Sequence, residues 1–223
     1  MKIAKKFWKL VDSNYFISEY KYHMLFLAIS IDIFLPGFFS PELRDAWISP
    51  IVNVLTLVSG LFVMNRLRSI GWYLVLFGMS GVIFSWFEGA FRHYGLLVFA
   101  AFICVLIYEM YAYLFQKEKI QLKEIIGALT GYMLIGYVGA LICIFINMGY
   151  DNAFSNVPSG SLGISDLLYF SYITMLTVGY GEITPLIPAS RGISIMLGLI
   201  GQFYMVVVIA TFVGKFLINS DKQ

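Results

Sequence analysis

Residues 177–181 read Thr-Val-Gly-Tyr-Gly, an uncharged pentapeptide with two glycines near the C-terminal end of a very apolar chain. It follows SDLLYFSYITML, residues 165–176, and precedes a long apolar segment from about Ala189 to Ile218. The preceding run is too short to cross a membrane but fits a helix of three turns. Ser165 is its expected N-cap, and Asp166 suits the positive end of the helix dipole. Irregular backbone survives at membrane depth only where it is buried in protein or lines a watery cavity. The stretch therefore predicts a re-entrant loop whose polar pentapeptide faces water and ions. The fold class that follows is an all-α membrane protein.

Composition agrees. The chain of 223 residues is 60% hydrophobic and 13% charged, with a mean hydropathy of +0.82. Soluble domains carry about 25% charged residues, so this chain cannot cover a soluble surface. The net charge of +2, without a basic patch interleaved with aromatics, excludes nucleic acid as a partner. Cys104 and Cys143 sit inside apolar segments and read as small buried hydrophobes, not as a disulfide or a metal site. The N-terminus has charge in place of a long apolar core, so it is not a cleavable signal. Ile3, Phe7, Leu10 and Val11 recur at helical spacing among Lys2, Lys5, Lys6 and Lys9, which predicts a short helix lying on the membrane surface within the N-terminal segment, residues 1–21.

A membrane-crossing helix needs about 20 mostly apolar residues. Six candidates run from Tyr22 to Phe39, Trp47 to Met64, Ile70 to Phe87, Tyr94 to Phe115, Ile125 to Met148 and Ala189 to Ile218. Basic residues favour the cytoplasmic side. With the N-terminus inside, that side holds Lys2, Lys5, Lys6, Lys9, Lys21, Arg66, Arg68, Lys117, Lys119, Lys123, Lys215 and Lys222. The outer side holds only Arg44, Arg92 and Arg191. Both termini are thus expected in the cytoplasm of a cell-membrane protein, with the pentapeptide on the outer side. The expected organisation is an interfacial segment (1–21), a four-helix membrane module (22–116) and a pore domain (117–223).

Residues 165–185, SDLLYFSYITMLTVGYGEITP, resemble the pore helix and selectivity filter of potassium channels: a helix, TVGYG, an acid (Glu182), then Pro185 before the inner helix. Arg191 fits the arginine common near the start of that helix in bacterial channels. The resemblance covers about residue 120 to the end. For the first four spans only count and topology agree with the six-span, one-pore-loop channels. The resemblance implies passive, potassium-selective conduction in which backbone carbonyls replace the hydration shell of the ion. It assigns ion-coordinating carbonyls to Thr177, Val178, Gly179 and Tyr180, with the Thr177 hydroxyl innermost, and places Gly181 with them in the ion-binding filter. An ordinary strand alternates its carbonyls, so some residues need φ > 0, which Gly179 and Gly181 supply cheaply. Val178 and Tyr180 would brace the filter, with Glu182, Tyr169 and Phe170 in support. One loop per chain implies a homotetramer in the lipid bilayer, with K⁺ the permeant ion and no cofactor.

Two positions depart from the family pattern. Leu176 stands where a second threonine or a serine is usual, and Ile173 where some bacterial channels place a carboxylate behind the filter. Conductance, blocker binding and inactivation are expected to differ accordingly. The fourth span has no arginine or lysine, so little voltage dependence is expected. SDKQ follows the last segment, so no cytoplasmic ligand domain is expected there. That segment, about 30 residues or roughly 45 Å, exceeds the hydrocarbon thickness. Gly198 and Gly201 lie near its middle. Gly201 and Gly198 are the candidate gating hinges, with close helix packing the competing reading. Gly127, Gly131, Gly136 and Gly139 read as packing residues. Asp32 and Glu109 are intramembrane acids, read as structural ahead of proton-sensing. Glu109 is within reach of Arg66 or Arg68. His23 and His93 are expected at interfaces. The competing function is a non-conducting or regulatory membrane subunit retaining the channel fold. No HExxH, GxSxG or acid/His constellation supports an enzyme.

Overall fold

The computed structural model describes residues 13–40, 43–64, 67, 69–73, 75–76, 91–117, 120–157 and 163–220. Among these, every regular element is helical, and the β pairing is an isolated bridge between Phe154 and Pro185. The expected interfacial helix within residues 1–21 lies mostly outside the described residues.

Helix α1 spans Ser13–Phe34 and yields to a 3₁₀ turn, Leu35–Phe38, at the Pro36-Gly37 pair. It is already helical nine residues before the first expected span. Glu19 and Lys21 broke the apolar window that defined that span, yet both are accommodated on the helix. The Lys123 ammonium meets Glu19 Oε2 at 2.6 Å. The Lys21 ammonium lies 4.6 Å from the ring centre of Tyr113 and 5.1 Å from that of Tyr22, a cation–π arrangement that suits a buried lysine.

A π-helical turn, Arg44–Ile48, leads into α2, Ser49–Val63, which has Pro50 in its first turn, where a missing N–H costs nothing. Helix α1 packs on α2, and α2 on α3, Phe91–Phe115. Glu109, buried on α3, accepts the Leu67 main-chain N–H at 2.6 Å. Arg66 and Arg68, its expected partners, lie outside the described residues. Asp32 is also buried. His23 makes an edge contact with Tyr20, at 5.7 Å between ring centres. His93 falls among side chains outside the description.

Helix α4 spans Leu122–Gly149. Its start is fixed by Glu124, whose Oε2 accepts the Gln121 N–H at 3.0 Å and whose Oε1 lies 3.8 Å from the Lys117 ammonium. Then come α5, Ile164–Met175; α6, Pro188–Phe203; a π-helical segment, Tyr204–Ile209; and α7, Ala210–Ser220. The last three form one continuous rod.

Three helical stretches among the described residues are long and apolar enough to cross a membrane: Gly95–Phe115, Leu122–Gly149 and Pro188–Ile218. Ser49–Val63 is a shorter apolar helix. The third expected span, Ile70–Phe87, lies largely outside the described residues. The chain forms two compact units, one of Met1–Thr130 with Lys215–Gln223, the other of Gly131–Gly214. The second contains the pentapeptide.

Candidate functional site

Within the second unit the pentapeptide is carried at the C-terminal end of α5. That helix does not start as expected. Its N-cap is Gly163, in the left-handed region at φ 59°, and Ser165 lies inside the first turn. Glycine enters that conformation without steric penalty, and the Gly163 carbonyl already accepts the Leu167 N–H at 2.8 Å. Asp166 is in the first turn, where its charge complements the helix dipole.

Helix α5 is seated by polar contacts in an apolar setting. The Tyr172 hydroxyl donates to the Met133 carbonyl at 2.6 Å, and the Ser171 hydroxyl to the Gly136 carbonyl at 2.7 Å. Side chains at Gly136 and Gly139 would collide with Tyr172 and with Leu197 and Ser171 respectively, so these glycines set how closely α4 receives α5 and α6. The Tyr132 hydroxyl donates to the Met175 carbonyl at 3.3 Å, and its ring lies 5.2 Å from that of Tyr204. Phe170 is buried with its ring 5.2 Å from Phe154.

After Met175 the chain turns sharply. Leu176 closes the helix in the right-handed region, and Thr177, Gly179 and Gly181 have positive φ of 59°, 53° and 90°. Left-handed residues thus fall at every second position. The Ile173 carbonyl accepts two N–H groups, from Val178 at 2.9 Å and Gly179 at 3.2 Å. A buried apolar residue at 173 therefore anchors the pentapeptide through its main chain, not through a carboxylate. Nothing lies within 4 Å of where a side chain would be at Gly179 or Gly181. Val178 and Tyr180 are exposed on the single chain, Tyr180 by 76%.

Glu182 finds its partner in Tyr169. The Tyr169 phenol is pushed up to about 12, first by its hydrogen bond to Glu182, then by partial desolvation and the nearby charges of Glu182 and Tyr180. Beyond Glu182 the chain is strapped to the loop after α4. The Asn156 side-chain amide donates to the Glu182 carbonyl at 2.5 Å. Ser155 Oγ accepts the Thr184 N–H at 2.7 Å and lies 2.8 Å from Thr184 Oγ1. The Ser155 N–H donates to the Thr184 carbonyl at 2.9 Å, and the Leu186 N–H to the Ala153 carbonyl at 3.0 Å. The Ser190 hydroxyl also reaches the Ala153 carbonyl, at 2.8 Å. None of these loop residues stood out in the sequence. Two asparagines, Asn152 and Asn156, take positive φ of 55° and 56°, and asparagine's tolerance of that region was the available signal.

The two candidate hinge glycines differ. A side chain at Gly201 would overlap the Met175 carbonyl oxygen, whereas one at Gly198 would meet nothing within 4 Å. No group of three or more His, Cys, Asp or Glu able to hold a metal occurs among the described residues.

Residues 125–218 match a family model described as "Ion channel". Over 98 residues the chain is 34% identical to Protein LctB of Geobacillus stearothermophilus, a stretch covering 42% of this chain and 68% of that protein. No solved structure matches the chain.

Proposed function

The chain belongs to the ion-channel family, and from that premise we propose that it is a potassium-selective channel of the cell membrane. Its filter is Thr177 to Gly181, and its pore closes around four identical copies. Both termini lie in the cytoplasm, six helices cross the bilayer, and α5 enters from the outer side and returns.

The observation that carries this reading is the left-handed backbone at Thr177, Gly179 and Gly181. Along an ordinary extended strand successive carbonyls point to opposite sides. Interposing a left-handed residue at every second position undoes that flip, so neighbouring carbonyls share a side. Such a row is a ladder of oxygens for a cation that has shed its water. The Thr177 hydroxyl adds the innermost ligand. Helix α5 aims its negative C-terminal end at the same place, which favours a cation over an anion. One chain lines one side of such a passage. The exposure of Val178 and Tyr180 on the single chain is what neighbouring subunits would cover.

The test is a flux assay on the purified protein in liposomes. Potassium or rubidium uptake, blocked by barium and absent for sodium, is expected. Gly179→Ala is expected to abolish selectivity or conduction, because alanine in the left-handed region costs about 1–2 kcal/mol at a position repeated around the ring. An assembled protein that passes no ion at all would instead be a non-conducting subunit.

A further inference from the structure

We propose that Asn156 is a positioning residue for the outer end of the filter: its side-chain amide holds the carbonyl of Glu182, and so the Glu182–Ile183 peptide, one residue beyond Gly181. The proposal rests on the potassium-filter reading and adds to it a residue outside the pentapeptide and its flanks.

Gly179 and Gly181 have no side chain to pack against their own chain, and a peptide plane between glycines is freer to rotate than one between larger residues. Within one chain, main-chain carbonyls at the two ends of the stretch carry its hydrogen bonds. At the inner end, the Ile173 carbonyl holds the N–H groups of Val178 and Gly179. At the outer end, the first main-chain carbonyl after Gly181 is that of Glu182, and Asn156 Nδ2 holds it at 2.5 Å. Glycine at 156 would accept the same left-handed φ of 56°, but only asparagine brings a donor to that point.

The donor is itself well placed. Asn156 closes a short strap, residues 153–156, tied to residues 184–186 by the Ser155–Thr184 and Ala153–Leu186 main-chain bonds and to the start of α6 by Ser190. The strap has a rigid floor, since Ala153 and Phe154 are buried and Phe154 packs on Phe170 of α5. Asn156 stands at its exposed edge. An exposed hydrogen bond adds little to folding. Its removal is therefore read in conduction and not in stability, which separates positioning from a merely structural role.

The experiment compares wild type with Asn156→Gly and Asn156→Asp as full-length protein in planar bilayers and liposomes. Glycine keeps the backbone conformation and removes the amide. Aspartate keeps size and shape but presents no N–H to the carbonyl. Both variants are expected to assemble and melt as wild type does. Their potassium current is expected to decay about five-fold faster, the effect of one lost hydrogen bond, with a matching fall in potassium-over-sodium selectivity. Raising outer potassium is expected to narrow the difference, because bound ions hold the same carbonyls. Wild-type decay and selectivity in either assembled variant would overturn the role of Asn156 while leaving the filter standing. Absence of potassium-selective flux in wild type would bring down the filter reading, and this proposal with it.

Discussion

Gly201 of α6 lies against the main-chain carbonyl of Met175, the last residue of α5, so closely that a side chain on Gly201 would overlap that oxygen. The π-helical segment begins three residues later, at Tyr204, whose buried ring rests on Tyr132. The Tyr132 hydroxyl donates to that same Met175 carbonyl. The end of α5 and the end of α6 are thus one packed joint. Gly201→Ala is expected to destabilise the assembled channel by about 1–3 kcal/mol, as overpacking does where backbone is the obstacle. It is also expected to shift open probability. Gly198→Ala, with open space around it, is expected to stay within about 0.5 kcal/mol of wild type. Thermal melting in detergent and single-channel recording measure both. Equal effects of the two substitutions would remove Gly201 from this joint.

The Tyr169–Glu182 contact predicts an alkaline limb. The Tyr169 phenol is pushed up from its ordinary value of 10 to about 12, chiefly by its hydrogen bond to Glu182. A raised pKa means that the contact contributes fully below pH 10 and is lost as pH rises from 10 towards 12. Potassium flux in vesicles titrated only on the outside is expected to fall through that window in wild type. Tyr169→Phe has no proton to lose at this position, so its flux is expected to start lower and lack this component. An unchanged limb in Tyr169→Phe would assign it to another group.

The pore-side helices were legible because their limits are written in single residues. Residues 125–148 were expected and Leu122–Gly149 is found; 165–176 became Ile164–Met175; 189–218 became Pro188–Ser220. Long apolar runs bounded by charge, glycine or proline leave little choice. That residues 13–21 run on into α1 was hidden because Glu19 and Lys21 look unfit for an apolar helix until Lys123 and Tyr113, about a hundred residues away, are in place. The Asn156–Glu182 bond was hidden for a similar reason: hydrophobic periodicity says nothing about which loop residue meets which. The π-helical turns at Arg44–Ile48 and Tyr204–Ile209 have no counterpart in the apolar pattern, which tolerates one extra residue per turn.

The Glu19–Lys123 pair ties α1 to the first turn of α4 at 2.6 Å, with both side chains partly exposed. Such pairs are worth about 0.2–1 kcal/mol. A double-mutant cycle with Glu19→Ala and Lys123→Ala, read by thermal melting, is expected to give a coupling in that range, smaller at high salt. A coupling near zero at low salt would mean that α1 is held by its apolar packing alone.

The last expectation concerns voltage. Moving one full charge across the membrane is worth about 2.3 kcal/mol per 100 mV, and steep gating needs several such charges. Between Tyr94 and Phe115, α3 carries no lysine or arginine, and its one acid, Glu109, is buried and bonded to the Leu67 N–H. A group bonded to the adjoining turn cannot travel through the field without breaking that bond. Open probability is therefore expected to stay nearly flat between about −100 and +100 mV, because no basic gating charge on α3 can use that energy. Macroscopic current after voltage steps in symmetric potassium measures it. A conductance that rises steeply across that range would require gating charge elsewhere in the chain, and would separate the voltage response of this protein from the charge content of α3.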